Sequence, residues 1–139
     1  MKVLFDTNVV LDALLDRKPF ASSAIFLFAE VELGGLQGYL CATTITTIFY
    51  LANKVRGRTV ATEMIEKLLN IFEIAPVNRF ALEEALTQDS PDFEDAVLYA
   101  SAVLVGVDAI VTRDAVGFRS AKIPIFSPSE LVGVLRSMD

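Results

Sequence analysis

The sequence predicts an α/β protein in which a central, mostly parallel sheet of about five strands lies between two layers of helices. Short apolar runs, typical of strands buried on both faces of a parallel sheet, alternate along the chain with longer segments of helical periodicity. A chain of 139 residues is long enough for one domain with an ordinary hydrophobic core. We therefore expect a single domain over residues 1–139 with a three-layer α/β/α architecture.

The predicted strands are short and almost entirely apolar. Pro124 lies in the last of them and places that strand at an edge of the sheet, where a missing backbone N–H donor is tolerated. The predicted strands cover residues 3–5, 38–41, 72–75, 109–112 and 123–126.

Capping residues and helix breakers delimit the helices between these strands. Asn8 is expected to cap the first helix, and Pro19 to open the second, which ends at the glycines of positions 34 and 35. Thr43 or Thr44 is expected to cap the third helix, which runs to about residue 55. Further helices are predicted near residues 60–69, 78–87 and 92–104, and after the Ser-Pro-Ser-Glu segment at 127–130.

The residue types that are missing narrow the possible chemistry. The chain has no histidine, which excludes Ser-His-Asp and Cys-His nucleophile systems and His-bound zinc or iron. Its single cysteine, Cys41, cannot form an internal disulfide, which fits a reducing cytoplasm. No glycine-rich phosphate loop is present. If the protein is an enzyme, its catalytic groups must be carboxylates, hydroxyls, lysines or arginines. Chemistry that uses a hard metal ion such as Mg²⁺ is therefore the leading option.

The charge balance argues against non-specific nucleic-acid binding by the whole surface. There are 12 basic and 18 acidic residues, a formal net charge of −6. A local basic strip of Lys54, Arg56 and Arg58, joined by Arg17 and Lys18, remains a candidate for holding phosphates, although a solvated turn is the favoured interpretation of these charges. No apolar stretch approaches the ~20 residues that span a bilayer, and we expect neither a signal peptide nor a membrane interaction.

Acidic residues follow the strands at the edge where parallel sheets bind ligands. Asp6 directly follows the first strand and Asp114 closely follows the fourth, while Asp92, Glu94 and Asp95 begin the helix that leads into the fourth strand. Each acid also has a structural explanation, as a turn residue or as a favourable charge at a helix N-terminus. Taken together, their convergence on one edge favours a functional site.

Electrostatics suggests what such a site binds. Two carboxylates ~4 Å apart repel by about 4 kcal/mol at an effective dielectric constant of 20. Several converging acids therefore require protonation or a divalent cation, and oxygen ligands without nitrogen or sulfur select Mg²⁺ or Mn²⁺. Such a cation suits phosphoryl transfer because it activates water and stabilises charge on the phosphate.

The chain contains, in this order, the segments VLFDTNVVLD at 3–12, DFEDA at 92–96 and VTRD at 111–114. In this combination they resemble PIN domains, small α/β nucleases that include the VapC-like toxins of toxin–antitoxin pairs. The resemblance implies a Mg²⁺- or Mn²⁺-dependent endoribonuclease that hydrolyses single-stranded or structured RNA with a metal-activated water. It also implies the toxin role in a type II pair, a small antitoxin protein as partner and a homodimer.

The resemblance also implies roles for individual residues. Asp6, Asp95 and Asp114 are the implied metal ligands, and Asp92 is a further catalytic acid. Neighbouring groups that orient carboxylates or water are expected to be Asn8, Thr112, Thr47 and Glu94. Contacts to nucleic acid are expected from Lys54, Arg56, Arg58 and Arg113, although pairing with an acid is the favoured interpretation of Arg113.

One departure from the family pattern keeps other functions open. Thr47 aligns with a position where the family usually has an acid, and a hydroxyl is a neutral, weaker metal ligand. The alternative is therefore a PIN-like module that binds RNA or a protein partner with weakened catalysis. A phosphohydrolase of the haloacid-dehalogenase type ranks low, because that family places a second aspartate where this chain has Asn8.

Overall fold

The computed structural model describes residues 1–138, and within them five strands form one sheet in which every neighbouring pair is parallel. The strands are β1 (Lys2–Phe5), β2 (Gln37–Cys41), β3 (Glu73–Ala75), β4 (Ala109–Val111) and β5 (Ile125–Phe126). Their order across the sheet is β3-β2-β1-β4-β5. The predicted α/β class is confirmed, and β5 lies at an edge as Pro124 indicated.

Helices connect the strands, as the alternating pattern predicted. They are α1 (Thr7–Leu14), α2 (Ala21–Leu33), α3 (Ala42–Arg56), α4 (Arg58–Ile71), α5 (Arg79–Ala85), α6 (Phe93–Val105) and α7 (Pro128–Ser137). A short 3-10 turn, Ala115–Phe118, follows β4. Within residues 1–138, no helix has the length and apolar character needed to cross a bilayer.

Side chains of the central strand alternate between two hydrophobic cores. Val3 and Phe5 are buried against α1, α2 and α7, whereas Leu4 is buried on the opposite face with Leu98 of α6. Phe5 packs edge-to-face on Phe28 and on Phe72. Because both faces of β1 are covered, residues 3–5 are all apolar, and the next polar side chain after the exposed Lys2 is Asp6, directly after the strand.

Three predicted helix starts are wrong. Asp6, not Asn8, caps α1, since Asp6 is extended and its carboxylate accepts the Thr7 N–H. Neither Thr43 nor Thr44 caps α3, because β2 runs directly into the helix and Cys41 takes the capping position without a side-chain bond. The second helix begins at Ala21, two residues after Pro19.

Three other predicted helix starts are confirmed. Asn78, Asp92 and Ser127 cap α5, α6 and α7 with their side chains, and Ser127 forms a reciprocal capping box with Glu130. The basic segment around Gly57 is not an extended turn. It consists of the end of α3 and the start of α4, separated by that single glycine.

Candidate active site

Asp6 lies at the carboxyl end of the central strand and is held by several hydrogen bonds. Its Oδ1 accepts the backbone N–H of Thr7 at 2.7 Å, and its Oδ2 accepts the hydroxyl of Thr112 at 2.7 Å. Asn8 Nδ2 makes a longer contact of 3.4 Å with the same Oδ2. Burial raises the pKa of Asp6, and the charges of Glu94 and Asp114 add to this, while the bonds from Thr112 and Thr7 oppose it.

Asp95 lies in the first turn of α6 and faces Asp6 from across the sheet edge. Partial burial, followed by the negative charges of Asp6, Asp92, Asp114 and Glu94, raises the pKa of Asp95 to about 7. Four other carboxylates are therefore close enough to disfavour its ionisation. The sequence predicted that the acids after β1 and β4 and those at the start of α6 would lie close together, and the structure brings them together.

Asp92 and Asp114 have the capping roles that a purely structural interpretation assigned to them. Asp92 Oδ1 accepts the N–H of Asp95 at 3.2 Å, and Asp114 Oδ1 accepts the N–H of Val116 at 3.2 Å. Each of these bonds uses one carboxylate oxygen. The structural and functional interpretations are thus compatible, since capping fixes each side chain at the sheet edge and leaves its second oxygen for other contacts.

These acids line one open cleft of about 380 Å³. Its lining residues are Asp6, Thr7, Asn8, Leu11, Arg17, Thr47, Asp92, Glu94, Asp95, Arg113 and Asp114. Thr112 lies beneath the cleft, in contact with Asp6. Of the residues predicted to contact nucleic acid, Arg113 lines the cleft, whereas Lys54, Arg56 and Arg58 do not.

The donor set fits a divalent cation in chemical type and in charge. Oxygen ligands alone face the cleft among its candidate donors, and the negative charges of the neighbouring acids, after burial, contribute to the raised pKa of Asp95. In the part of the chain that the structure describes, however, no three acidic or cysteine side chains are already arranged as a metal-binding group. Mg²⁺ usually keeps several water ligands and binds through only one or two carboxylates, so the donor types in this cleft still suit it.

The fold and this acidic cleft agree with the comparison to known protein families. The profile of the PIN domain matches residues 2–115, most of the chain. This protein belongs to the PIN domain family. The comparison with curated proteins gives no significant match.

Solved structures share the fold of this PIN domain at low sequence identity. A toxin–antitoxin complex from Klebsiella pneumoniae matches with a TM-score of 0.66 and 23% identity over 91% of this chain and 97% of that one. FitAcB from Neisseria gonorrhoeae matches with a TM-score of 0.67 and 21% identity over 91% of this chain and 98% of that one. A VapC toxin from Mycobacterium tuberculosis that cleaves the sarcin–ricin loop matches with a TM-score of 0.69 and 15% identity over 86% of this chain and 95% of that one.

The PIN domain also contains a buried ion-pair network to which the sequence assigned no role. Asp12 is fully buried in α1, and its Oδ1 accepts Arg17 Nε at 2.9 Å. Its Oδ2 accepts Arg113 Nε at 2.6 Å, and Arg113 also donates through Nη2 to Oδ1 at 3.3 Å. The sequence favoured an ion pair for Arg113 over a contact with nucleic acid, and the structure shows that ion pair with Asp12. The signal in the sequence was a lone carboxylate within the apolar run of residues 9–14.

Gly117 is a second residue that sequence reasoning did not place at the site. A Cβ atom at this position would collide with the carboxylate of Asp95. The carbonyl of Gly117 also accepts the hydroxyl of Ser90 at 3.0 Å, which ties the turn after β4 to the start of α6. Only a glycine lets the turn approach Asp95 this closely.

The basic strip is divided in the structure, since Arg17 lines the cleft whereas Lys54, Arg56 and Arg58 do not. Lys54 lies 5.6 Å from the ring centroid of Tyr50, and Arg58 lies 5.5 Å from that of Phe49. Along α3, Lys54 is seven residues beyond Thr47, which corresponds to about 10 Å of helix. Lys54 is therefore two helical turns from Thr47 on the same side of α3, beyond the residues that line the cleft.

Proposed function

We propose that this PIN domain is a Mg²⁺- or Mn²⁺-dependent endoribonuclease whose active site is the acidic cleft. The observation that carries the proposal is the set of five carboxylates lining that cleft, whose mutual repulsion helps to raise the pKa of Asp95 to about 7. In this proposal Asp6, Asp95 and Asp114 hold the cation, and Asp92 is a fourth acid beside them.

Residues around these acids position them. Thr112 and the backbone N–H of Thr7 fix both oxygens of Asp6, so its carboxylate cannot turn away from the cleft without breaking two short bonds. Asn8 spans the site, since its Oδ1 accepts the N–H of Arg113 at 3.3 Å while its amide faces Asp6. When bound, the cation would lower the pKa of a water molecule and offset charge on the phosphate.

Two guanidinium groups on the cleft wall suit RNA phosphates. Arg17 and Arg113 are both anchored by Asp12, yet a guanidinium has five N–H donors and neither uses all of them there. We propose that they contact the backbone of single-stranded or structured RNA. Lys54, Arg56 and Arg58, exposed at the α3–α4 junction, are proposed as more distant phosphate contacts.

The proposed biological role is that of a toxin in a type II toxin–antitoxin pair. It is supported by the shared fold of the Klebsiella toxin–antitoxin complex and of the VapC toxin described above. A small antitoxin protein and a second copy of this chain are the proposed partners. Apolar side chains exposed on α5 and α6, such as Leu82, Val103 and Leu104, supply surface for such contacts. A free buried Cys41 suits the cytoplasm, the proposed compartment.

A cleavage assay tests the proposed activity. The protein is incubated with a mixed pool of single-stranded RNA and Mn²⁺, with EDTA as the control for metal dependence. We expect cleavage that EDTA abolishes, that Asp95→Asn lowers at least a hundredfold, and that Glu63→Gln, a change on the exposed surface of α4, leaves unchanged. Cleavage that survives EDTA, or equal rates for wild type and Asp95→Asn, would contradict the proposal.

Thr47 favours a second candidate function, a module that binds RNA or a protein partner with weakened catalysis. Its neutral side chain lines the cleft at the position where the family usually supplies an acid. This alternative predicts RNA binding without cleavage in Mn²⁺, and a gain of Mn²⁺ affinity in Thr47→Glu. Cleavage by the wild-type protein at rates that Thr47→Glu does not raise would exclude it.

A further inference from the structure

A second cavity of about 420 Å³ lies between the start of α2 and the start of α7. We call it the α2/α7 pocket. Pro19, Phe20 and Ser23 line one side, and Pro128 and Ser129 belong to the other. The pocket is within the size range of small-molecule binding sites and large enough for one nucleoside.

The α2/α7 pocket shares a wall with the acidic cleft. Arg113 lines both cavities, so a ligand that occupies one lies next to the other. The position of this wall is fixed, because Arg113 Nε bonds to the buried Asp12 at 2.6 Å and its guanidinium lies 3.9 Å from the ring centroid of Phe20. The Phe20 side chain nevertheless remains 42% exposed and available for contact.

The lining has the chemical character that recognises a nucleobase. Phe20 offers an aromatic surface, and Pro19 and Pro128 add apolar walls on either side of the opening. Ser23 and Ser129 supply hydroxyl groups that can donate to or accept from the polar edge of a base. Unpaired RNA bases are bound in this way, by stacking on aromatic or guanidinium planes with hydrogen bonds at the base edge.

We propose that the α2/α7 pocket binds one unpaired base of the RNA strand whose phosphate enters the acidic cleft. The inference rests on the proposed function, since it takes RNA to be the ligand of the cleft. Arg113 then faces the backbone between the two cavities, and Phe20 stacks on the base. Base identity at this position contributes to sequence preference through Ser23 and Ser129.

Equilibrium binding of a short single-stranded RNA, labelled with a fluorophore and measured by anisotropy in Ca²⁺ in place of Mn²⁺, tests the pocket while the charge of the carboxylates remains offset. We expect Phe20→Ala to raise Kd by about tenfold, because base–aromatic stacking is lost, and Phe20→Tyr to retain wild-type affinity. Phe80→Ala, which removes an exposed phenylalanine on α5 outside the pocket, is the matched control and should leave Kd unchanged. Circular dichroism of each variant verifies folding.

An abasic RNA series identifies the group that fills the pocket. Removing the base at one position should weaken binding to the wild type by about tenfold, and should weaken binding to Phe20→Ala much less, since the stacking surface is already absent. Equal effects of every abasic position on both proteins would overturn the proposal. Unchanged RNA affinity in Phe20→Ala would also overturn it and would point to a protein side chain as the occupant.

The two proposals fail in distinguishable ways. RNA binding that depends on Phe20 and on one base, without any Mn²⁺-dependent cleavage, supports the pocket and contradicts the nuclease. Cleavage with unchanged KM and unchanged sequence preference in Phe20→Ala supports the nuclease and contradicts the pocket.

Discussion

Thr112 donates its hydroxyl hydrogen to Asp6 Oδ2 across 2.7 Å, although 106 residues separate the two in sequence. The same hydroxyl oxygen accepts the backbone N–H of Asp114 at 3.0 Å. The bond exists because β1 and β4 are parallel neighbours whose carboxyl ends coincide, with Phe5 opposite Val111. One buried hydroxyl therefore links the acid that ends the first strand to the segment carrying the acid after the fourth.

Replacing this hydroxyl by a methyl group should destabilise the protein and loosen the site. Thr112→Val removes the short hydrogen bond to Oδ2 of the buried Asp6 and the side-chain acceptor of the Asp114 N–H, at a cost of about 1–3 kcal/mol in the free energy of unfolding. Thr112→Ser keeps both hydrogen bonds and should lower the free energy of unfolding clearly less. Urea denaturation at pH 7 measures the difference, and equal losses in the two variants would mean that the hydroxyl contributes little.

Asp12 should stabilise the fold through its two arginines. Asp12→Asn removes a buried charge from between Arg17 and Arg113, and we expect the free energy of unfolding to fall by about 2–3 kcal/mol. The loss should be smaller than for a fully buried pair, because both guanidinium groups are partly exposed and can be rehydrated. Asp16→Asn, an exposed acid four residues away, is the control and should change stability by less than about 0.5 kcal/mol. Similar thermal denaturation of both variants would contradict this role.

A methyl group at position 117 should displace the Asp95 carboxylate. In Gly117→Ala the new Cβ meets the end of the Asp95 side chain, which must rotate away. We expect at least a tenfold loss of Mn²⁺ affinity and of RNA cleavage, with a stability cost of only about 1 kcal/mol because the displaced side chain is flexible. Gly133→Ala, in open space on α7, should leave affinity unchanged and gain slightly in stability. Identical Mn²⁺ titrations for the two alanine variants would refute the proposed position of Asp95.

The raised pKa of Asp95 makes the stability of the metal-free protein dependent on pH. The folded state, with a pKa of about 7, holds the proton more tightly than the unfolded chain at 3.8, so the free energy of unfolding should fall as pH rises from about 4 to 7. Above this range the ionised carboxylate is a cost, which Asp95→Asn removes. With EDTA at pH 8 we expect that variant to be more stable by about 1–2 kcal/mol, allowing for solvent screening of a half-exposed group.

The matching comparison is made at low pH. Well below the unfolded-state pKa of 3.8, at about pH 3, the wild-type carboxyl is protonated in both states, so the advantage of Asp95→Asn should vanish. Denaturation curves of the two proteins between about pH 3 and 8 test this, with Glu63→Gln as the control on an exposed helix surface. A stability difference that is constant across the range would show that the pKa of Asp95 is not raised.

Much of the site was predictable because it follows from strand ends. The apolar runs that form β1 and β4 are each followed directly by a polar residue, and parallel strands bring these ends to one edge, so the positions of Asp6 and Asp114 followed from local sequence. The start of α6 was equally visible, since Ser90, Pro91 and Asp92 form a helix-start pattern before an apolar run.

Contacts between distant segments were not predictable from the same patterns. The bond between Asp12 and Arg113 joins residues 101 positions apart, and no local periodicity indicates which arginine a buried acid will meet. The cap of α1 was misassigned because Asp6 and Asn8 are both good capping residues and differ only in backbone conformation. The end of α3 was predictable, since Gly57 with its positive φ terminates the helix, but the position of Lys54 outside the cleft lining was not, because it depends on how α3 packs against its neighbours.

Binding of Mn²⁺ to the isolated protein tests most directly whether the clustered carboxylates share a divalent cation. Free Mn²⁺ is followed by electron paramagnetic resonance at pH 7.5 for the wild type, Asp6→Asn, Asp95→Asn and the surface control Glu63→Gln. We predict saturable binding to the wild type and to Glu63→Gln, with affinity at least tenfold weaker in Asp6→Asn and in Asp95→Asn. Equal affinity in all four proteins, or no saturable binding to the wild type, would contradict the account.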